Sequence, residues 1–527
     1  MKNVLLLLTL WLSISLQLYC VNHFDLITSM TGEHNQSRMG NSLSSLDFNG
    51  DGYDDLVVCS DCWGFNIPPG QHEYGKIYFY WGGPNFDNIP DFILTGTYMF
   101  QYSGMVFNIG DVNGDGIEDL GVTHYGAPIE GIYQGNKKFS IFFGRQTPVS
   151  QPDYSIEFNY AQYDNLLPSK LGDINGDGFD DVGLAMQHSG NLFSIIYGNS
   201  LEYLEFLQIG SVSYEESFVG LGDINNDGYG DFSIGYCDGN QKYVKVFYGG
   251  TQINVADGIN LLTQSNYIYA SSWATGDVNG DGIDDFIGYA YNDTMPFWFG
   301  NNDNVTTTFN LTLLPSLYGH QADLGLKYGD VNNDGYSDII GTEPLYFGNT
   351  GRAGLWLGSS QFNGTLDYIF SAPENLTGKN FGEASCMGDF SGDGCCDYAI
   401  SAPFSNTTTQ YPGNVFVYAG NTQLADTTVG IDDETNHIPI PIIKVQVYPN
   451  PLYKNRQLLR LNIEGNEHIK DNKYKMELFD IKGKRVYQKT LNLHLVNTLD
   501  LSNMFRGKYL LSLVINNNKY TKKLTIK

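Results

Sequence analysis

Residues 46–58 read LDFNGDGYDDLVV, with Asp47, Asn49, Asp51, Asp54 and Asp55 set between two apolar runs. Carboxylates this close repel one another, and a shared cation offsets that cost. The alternative is a solvated Asp-Gly turn. Repetition decides between them. The segment returns as GDVNGDGIEDLGV from 110, GDINGDGFDDVGL from 172, GDINNDGYGDFSI from 222, GDVNGDGIDDFIG from 276, GDVNNDGYSDIIG from 329 and GDFSGDGCCDYAI from 388. The first aspartates fall at 47, 111, 173, 223, 277, 330 and 389. Spacings of this length signal a solenoid, propeller or array.

Each loop follows D-x-[NS]-x-D-G-x-x-D. In a tightly wound loop, positions 1, 3 and 5 turn their oxygens to one centre. Gly at position 6 permits the return of the chain. The carbonyl at position 7 and the Asp at position 9 complete a hard-oxygen shell suited to Ca²⁺. Up to seven ions are expected. The ligands are Asp47, Asn49, Asp51, Tyr53 and Asp55; Asp111, Asn113, Asp115, Ile117 and Asp119; Asp173, Asn175, Asp177, Phe179 and Asp181. They continue as Asp223, Asn225, Asp227, Tyr229 and Asp231; Asp277, Asn279, Asp281, Ile283 and Asp285; Asp330, Asn332, Asp334, Tyr336 and Asp338; and Asp389, Ser391, Asp393, Cys395 and Asp397. Asp54, at position 8, points elsewhere. An EF-hand is excluded, because position 12 is never the required Glu; in the first loop it is Val58.

Short apolar runs surround every loop. In the first unit NSLSSLDF leads in, DDLVV leads out, and KIYFYWGG and DFILTG follow. Such runs with Gly-rich ends are strands. Four strands per unit and seven units predict an all-β chain built on a seven-bladed β-propeller. The last unit lacks a fourth strand, and HFDLITS at 23–29 is expected to supply it, removing an open edge. Links between second and third strands are long in units six, seven, one and two, which are neighbours on a closed ring. They predict a one-sided crest bearing Trp63, Phe65, Tyr74, Tyr125, Tyr133, Tyr346, Phe347 and Tyr411, a candidate ligand rim.

With its Asp-rich loops, Phe381-Gly382 and the GAP at 126–128, the region 24–423 resembles the FG-GAP repeats of the integrin α-subunit propeller. The first and second units depart from the lead motif, with MGNS and YSGM where Phe-Gly is expected. After an acidic linker at 424–440, the segment 441–527 reads as short alternating strands, a small Ig-like β-sandwich. YPNP at 448–451, LFDIKGKRV, LSNMFRGKYLLSL and the final KKLTIK resemble the C-terminal sorting domain of the type IX secretion system. That resemblance implies handling by the type IX machinery, and secretion or display on the outer-membrane surface of a Gram-negative bacterium.

Residues 1–20 carry Lys2 and then an apolar run, the pattern of a signal peptide, and no later stretch is long enough to span a bilayer. The propeller is therefore expected to span 21–423. Charge is divided along the chain. Residues 438–527 hold 17 basic and 6 acidic residues, +11, which leaves 12 basic and 52 acidic residues, −40, in the rest. Such a field disfavours nucleic acid and anionic membranes as partners of the large part and favours divalent cations. An oxidising compartment would permit disulfides between Cys59 and Cys62 and from Cys386 to Cys395 or Cys396. No G-x-S-x-G elbow, H-E-x-x-H or Walker loop occurs, and the nine His are scattered. The first expectation is a secreted or surface module that binds an extracellular glycan or protein in adhesion or substrate capture. A polysaccharide lyase or hydrolase on the same scaffold, and a structural surface protein, are the alternatives.

Overall fold

The computed structural model describes residues 25–526 apart from internal stretches, the longest being 62–74, 126–135, 208–217, 314–325, 372–379, 425–443, 449–457 and 465–472. The expected signal peptide and the linker lie outside the described residues, apart from Leu424 in the linker. All 36 described elements are strands, and Met1–Ile431 and Asp432–Lys527 separate as two compact units. The first unit is a seven-bladed β-propeller of antiparallel meanders. Blade 1 is formed by Met39–Leu46, Asp55–Ser60, Lys76–Tyr80 and Phe92–Thr95, paired in chain order. The same order recurs in blades 2 to 6. In blade 4 the outer strand is split into Ile259–Asn260 and Gln264–Ser265, both paired with Gln241–Phe247.

The ring closes as the missing strand requires. Ser385–Gly388, Asp397–Ala402 and Asn414–Tyr418 are joined by Leu26–Thr31, which pairs antiparallel to the third strand with Thr31 opposite Asn414. The strand runs two residues beyond the expected 23–29.

Each second strand opens on the ninth loop residue, and in blade 1 all of Asp55–Ser60 is buried. Successive side chains there face different neighbours. Leu56 and Val58 pack with Val415 and Val417 of blade 7, whereas Val57 and Cys59 pack with Leu120 and Val122 of blade 2. This is period-two geometry with a sheet on either side, so the strand reads as a continuous apolar run rather than an alternating one. Each such side chain contributes about 1.5–3 kcal/mol by its burial. Apolar clusters of the same kind join every adjacent pair of blades.

The expected late-cluster disulfide is not made. Cys386, Cys395 and Cys396 are free thiols. Cys386 lies on the innermost strand opposite Ala399, Cys395 is buried beneath Gly420, and the Cys396 sulfur abuts Gly329 of blade 6. The Cys59 thiol donates to the Gly104 carbonyl oxygen at 3.4 Å, and Cys62 lies outside the described residues.

The second unit holds two antiparallel sheets. One orders Lys444–Tyr448, Leu458–Glu464 and Val496–Asp500; the other orders Arg485–Asn492, Lys473–Asp480, Gly507–Ile515 and Asn518–Ile526. Met476, Leu478 and Leu511 are buried on the second sheet.

Candidate metal centres

Each acidic loop joins the first strand of its blade to the second, and its own carboxylates fold it. In loop 1, Asp47 Oδ1 accepts the N–H groups of Gly50 (2.8 Å) and Asp51 (3.0 Å), and Oδ2 accepts that of Gly52 (2.9 Å). Asp51 Oδ1 accepts the Tyr53 N–H at 3.0 Å, and the Asn49 amide donates to Asp51 Oδ2 at 3.0 Å. The sixth-position glycines all sit at φ between +85° and +91°, a region closed to most side chains. The first, third and fifth residues therefore stand together on one turn in every blade.

The ninth residue does a different job. Asp55, Asp119, Asp181, Asp231, Asp285, Asp338 and Asp397 are all fully buried. One oxygen of each accepts the N–H of a glycine just past the third strand, from Gly82 at 2.8 Å to Gly420 at 2.9 Å. The other accepts an N–H from the second or third residue of its own loop, such as Val331 at 2.8 Å and Ser391 at 2.8 Å. Burial pushes these carboxyls up, to about 8 in Asp55, Asp231, Asp285 and Asp338, about 7 in Asp119 and Asp181, and about 6 in Asp397. The backbone N–H groups oppose that rise; the fifth-position aspartate adds to it in every loop, joined in loops 2 to 6 by the first-position aspartate.

A hard cation fits this donor set. The Asn49 and Asn332 amide oxygens are buried without a hydrogen-bond donor. In loops 2 to 5 the equivalent oxygen accepts the N–H two residues on, at 2.8–3.1 Å. A buried acceptor left without a donor is costly, and a cation would satisfy it. Among the described residues, no three acidic, histidine or cysteine side chains already converge as a metal cluster. The reason is visible in the loops: the third donor is an amide or hydroxyl, the seventh a carbonyl, and the ninth carboxylate is held by backbone N–H groups.

The loops also form a continuous belt, which the sequence reading missed. The residue after each third-strand glycine donates its N–H to the second-position carbonyl of the preceding blade's loop. These bonds run from Arg145 to Phe48 at 2.7 Å through to Gly83 and Phe390 at 2.9 Å, which closes blade 1 onto blade 7. The seventh side chain leans on the fourth residue of the preceding loop. A Cβ added at Gly114 would lie 2.3 Å from Phe179, and one at Gly392 would lie 2.7 Å from Tyr53. Position 8 completes the belt. Asp54 Oδ2 accepts the N–H of Asp389 at 2.8 Å, across the closure. Lys170 binds Glu118 at 3.2 Å and Asp180 at 3.3 Å. Burial opposes its charge, but those two carboxylates prevail and raise the ammonium above its ordinary pKa.

Of the candidate rim, Trp63, Phe65, Tyr74, Tyr133, Tyr346, Phe347 and Tyr411 lie outside the described residues, and Tyr125 is placed only as the end of the strand Asp119–Tyr125.

With seven such loops on a closed ring, the molecule is a repeat propeller, and the comparisons agree. Residues 40–122 match the family model of the FG-GAP-like repeat, and residues 446–527 match that of the secretion system C-terminal sorting domain. The chain is similar to integrin alpha-5 of Xenopus laevis, 29% identical over 164 residues, 29% of this chain and 15% of that one. It is 34% identical to integrin alpha-8 of Gallus gallus over 158 residues, 29% of this chain and 14% of the relative. It is 26% identical to integrin alpha pat-2 of Caenorhabditis elegans over 236 residues, 38% and 18% of the two chains. The chain thus spans less than a fifth of the length of these relatives. A solved structure, BBS1N in complex with ARL6DN soaked with lead, superposes with a TM-score of 0.40 at 9% identity, covering 75% of this chain and 94% of that one. The chain carries FG-GAP repeats folded as an integrin α-like β-propeller, followed by a type IX C-terminal sorting domain. The sorting domain marks a secreted or cell-surface protein handled by the type IX machinery. No helix among the described residues is long and apolar enough to cross a membrane.

Proposed function

We propose that this protein is a calcium-stabilised binding scaffold, exported by its C-terminal domain to the outer-membrane surface or the medium of a Gram-negative bacterium. On this reading the module boundaries are a signal peptide at 1–20, the propeller at 21–423 and the sorting domain at 441–527. The observation that carries it is the sevenfold oxygen-rich loop, with the buried, donorless amide oxygens of Asn49 and Asn332 as its clearest mark. Each loop would hold one Ca²⁺ through positions 1, 3, 5, 7 and 9. The ion would relieve repulsion between carboxylates that are otherwise too close in a poorly solvated place. The ring so fixed would present a rim of loops to an extracellular glycan or protein in adhesion or substrate capture. The relatives supporting this reading are integrin alpha chains.

Calcium and the partner are tested separately. Calcium should raise the melting temperature of the full chain and chelator should lower it by well over 10 °C; equal melts in both would refute the metal. A glycan and extracellular-protein array probed in calcium should show retained partners without turnover, and a blank array would refute the binding role.

A further inference from the structure

Position 8 of the loop follows no ligand pattern, yet four of its seven occupants are acidic: Asp54, Glu118, Asp180 and Asp284. None serves its own loop in the structure. Each reaches back to the preceding blade and accepts the backbone N–H of that loop's first aspartate. Asp54 holds Asp389 at 2.8 Å, Glu118 holds Asp47 at 3.3 Å, Asp180 holds Asp111 at 2.9 Å and Asp284 holds Asp223 at 3.0 Å. In three other blades the backbone alone makes the link, with Gly230, Ser337 and Cys396 donating their N–H to the first-residue carbonyls at 2.8–2.9 Å.

We propose that the eighth residue is a positioning residue that couples each metal loop to the next around the ring. The inference rests on the calcium reading above. Two physical effects act in the same direction. A charged acceptor on the first aspartate's N–H fixes the peptide that carries the first ligand, and charge-assisted bonds are stronger than neutral ones. The acceptor's negative charge also lies beside the residue that would carry the neighbouring loop's first ligand, and would favour a cation there. The coupling is mechanical as well, because residue 8 is bonded to residue 9 of its own loop. Filling one loop therefore steadies the clamp on the loop before it. By linkage the effect is reciprocal. The ring then contains two kinds of site. Loops 1, 2, 4 and 7 are clamped by a carboxylate, and loops 3, 5 and 6 are not.

Blade 5 gives the cleanest test, since Asp284 clamps loop 4 while Asp281 belongs to loop 5. Calcium would be titrated into the full chain against a chromophoric chelator. Asp284→Ser, which copies the residue of blade 6, should weaken one site about tenfold, the scale of a bond to a charged acceptor. Asp284→Asn keeps an acceptor oxygen and should recover part of that loss. Asp281→Ala should abolish its own site and weaken a second one, and the second effect should vanish in the Asp284→Ser background. Identical constants for wild type and Asp284→Ser, or additive effects of the two substitutions, would overturn the coupling while leaving calcium binding intact. A wild-type chain that takes up no calcium would instead overturn the metal reading and this one together. If Asp284→Ser fails to fold, Ser337→Asp serves in its place: it should tighten one site, and an unchanged titration would overturn the inference.

Discussion

Asp338→Ala separates the structural task of the ninth position from its expected metal task. Asp338 is fully buried, and its two oxygens accept the N–H groups of Gly358 at 2.7 Å and Val331 at 2.8 Å. Removing the carboxylate strands both donors, at about 1–3 kcal/mol each. Some of that is returned, because burial already disfavours the ionised group and pushes its pKa to about 8. The expected net loss in chelator is about 2–4 kcal/mol, a large part of the roughly 5–15 kcal/mol that holds a native domain together. Asp334→Ala is the control. Its side chain lies in an exposed turn and holds only the Tyr336 N–H and the Asn332 amide. In chelator it should cost less than about 1 kcal/mol, the scale of an exposed surface change. In calcium both variants should lose further stability, because on the proposed reading both would remove a ligand. Urea unfolding followed by tryptophan emission, with and without chelator, reads all four values. If Asp338→Ala matches wild type in chelator, the ninth carboxylate is not the knot between loop and third strand, and the reasoning fails.

Two further outcomes follow from the same contacts. In chelator the chain should lose stability as pH rises from about 4 to 8. The ninth-position carboxyls lose their protons near 3.8 when unfolded but only at about 6 to 8 when folded, so between those limits the folded state alone still holds them and each step up in pH penalises it. Calcium should flatten or reverse that slope by favouring the ionised form, and melts at pH 5.5 and 8 with and without calcium would show it; a parallel pH dependence in both would contradict the assignment. Deleting residues up to Thr31 should expose the edge of Asn414–Tyr418, lower the melting temperature and promote self-association on sizing chromatography. A truncated chain that stays monomeric and equally stable would show that the strand Leu26–Thr31 does not close the ring.

What the sequence disclosed was local or periodic. The candidate ligands of each loop lie within nine residues of one another, so their grammar is visible without a fold. The blade count follows from repetition, and the closing strand from a unit that is one strand short. Contacts between blades were hidden, because residues about 60 apart meet only once the ring exists. Asp54 and Asp55 are adjacent in sequence, yet one bonds blade 7 and the other its own blade. One inter-blade contact did leave a trace. Position 4 is Gly where the next loop's seventh residue is Phe179, Tyr229, Tyr336 or Tyr53, and Asn226 or Asn333 where it is Ile283 or Cys395. Gly50 beside Ile117 breaks that rule, so the pattern could have suggested the contact without proving it. The disulfide expectation failed for the opposite reason. Nearness in sequence suggested pairing, but a strand and a loop hold Cys386 and Cys396 against different partners.

The seam between blades 7 and 1 shows why closure by a strand from the other end of the chain is sufficient. At the loop face the seam repeats the contacts found elsewhere: Gly83 bonds the Phe390 carbonyl, Asp54 holds the Asp389 N–H, and Tyr53 covers Gly392. In the interior, Leu56, Val58 and Tyr78 share a core with Val415, Val417 and Phe390. Residues 26–31 supply the outer edge of blade 7, and Met30 joins the same core. A ring whose inner belt is continuous distributes the repulsion of its acidic loops over all seven blades, so no blade can release its loop without straining two neighbours. The acidic loops and the apolar interfaces therefore report on one cooperative structure, and the loss of either should be felt around the whole circle rather than in one blade.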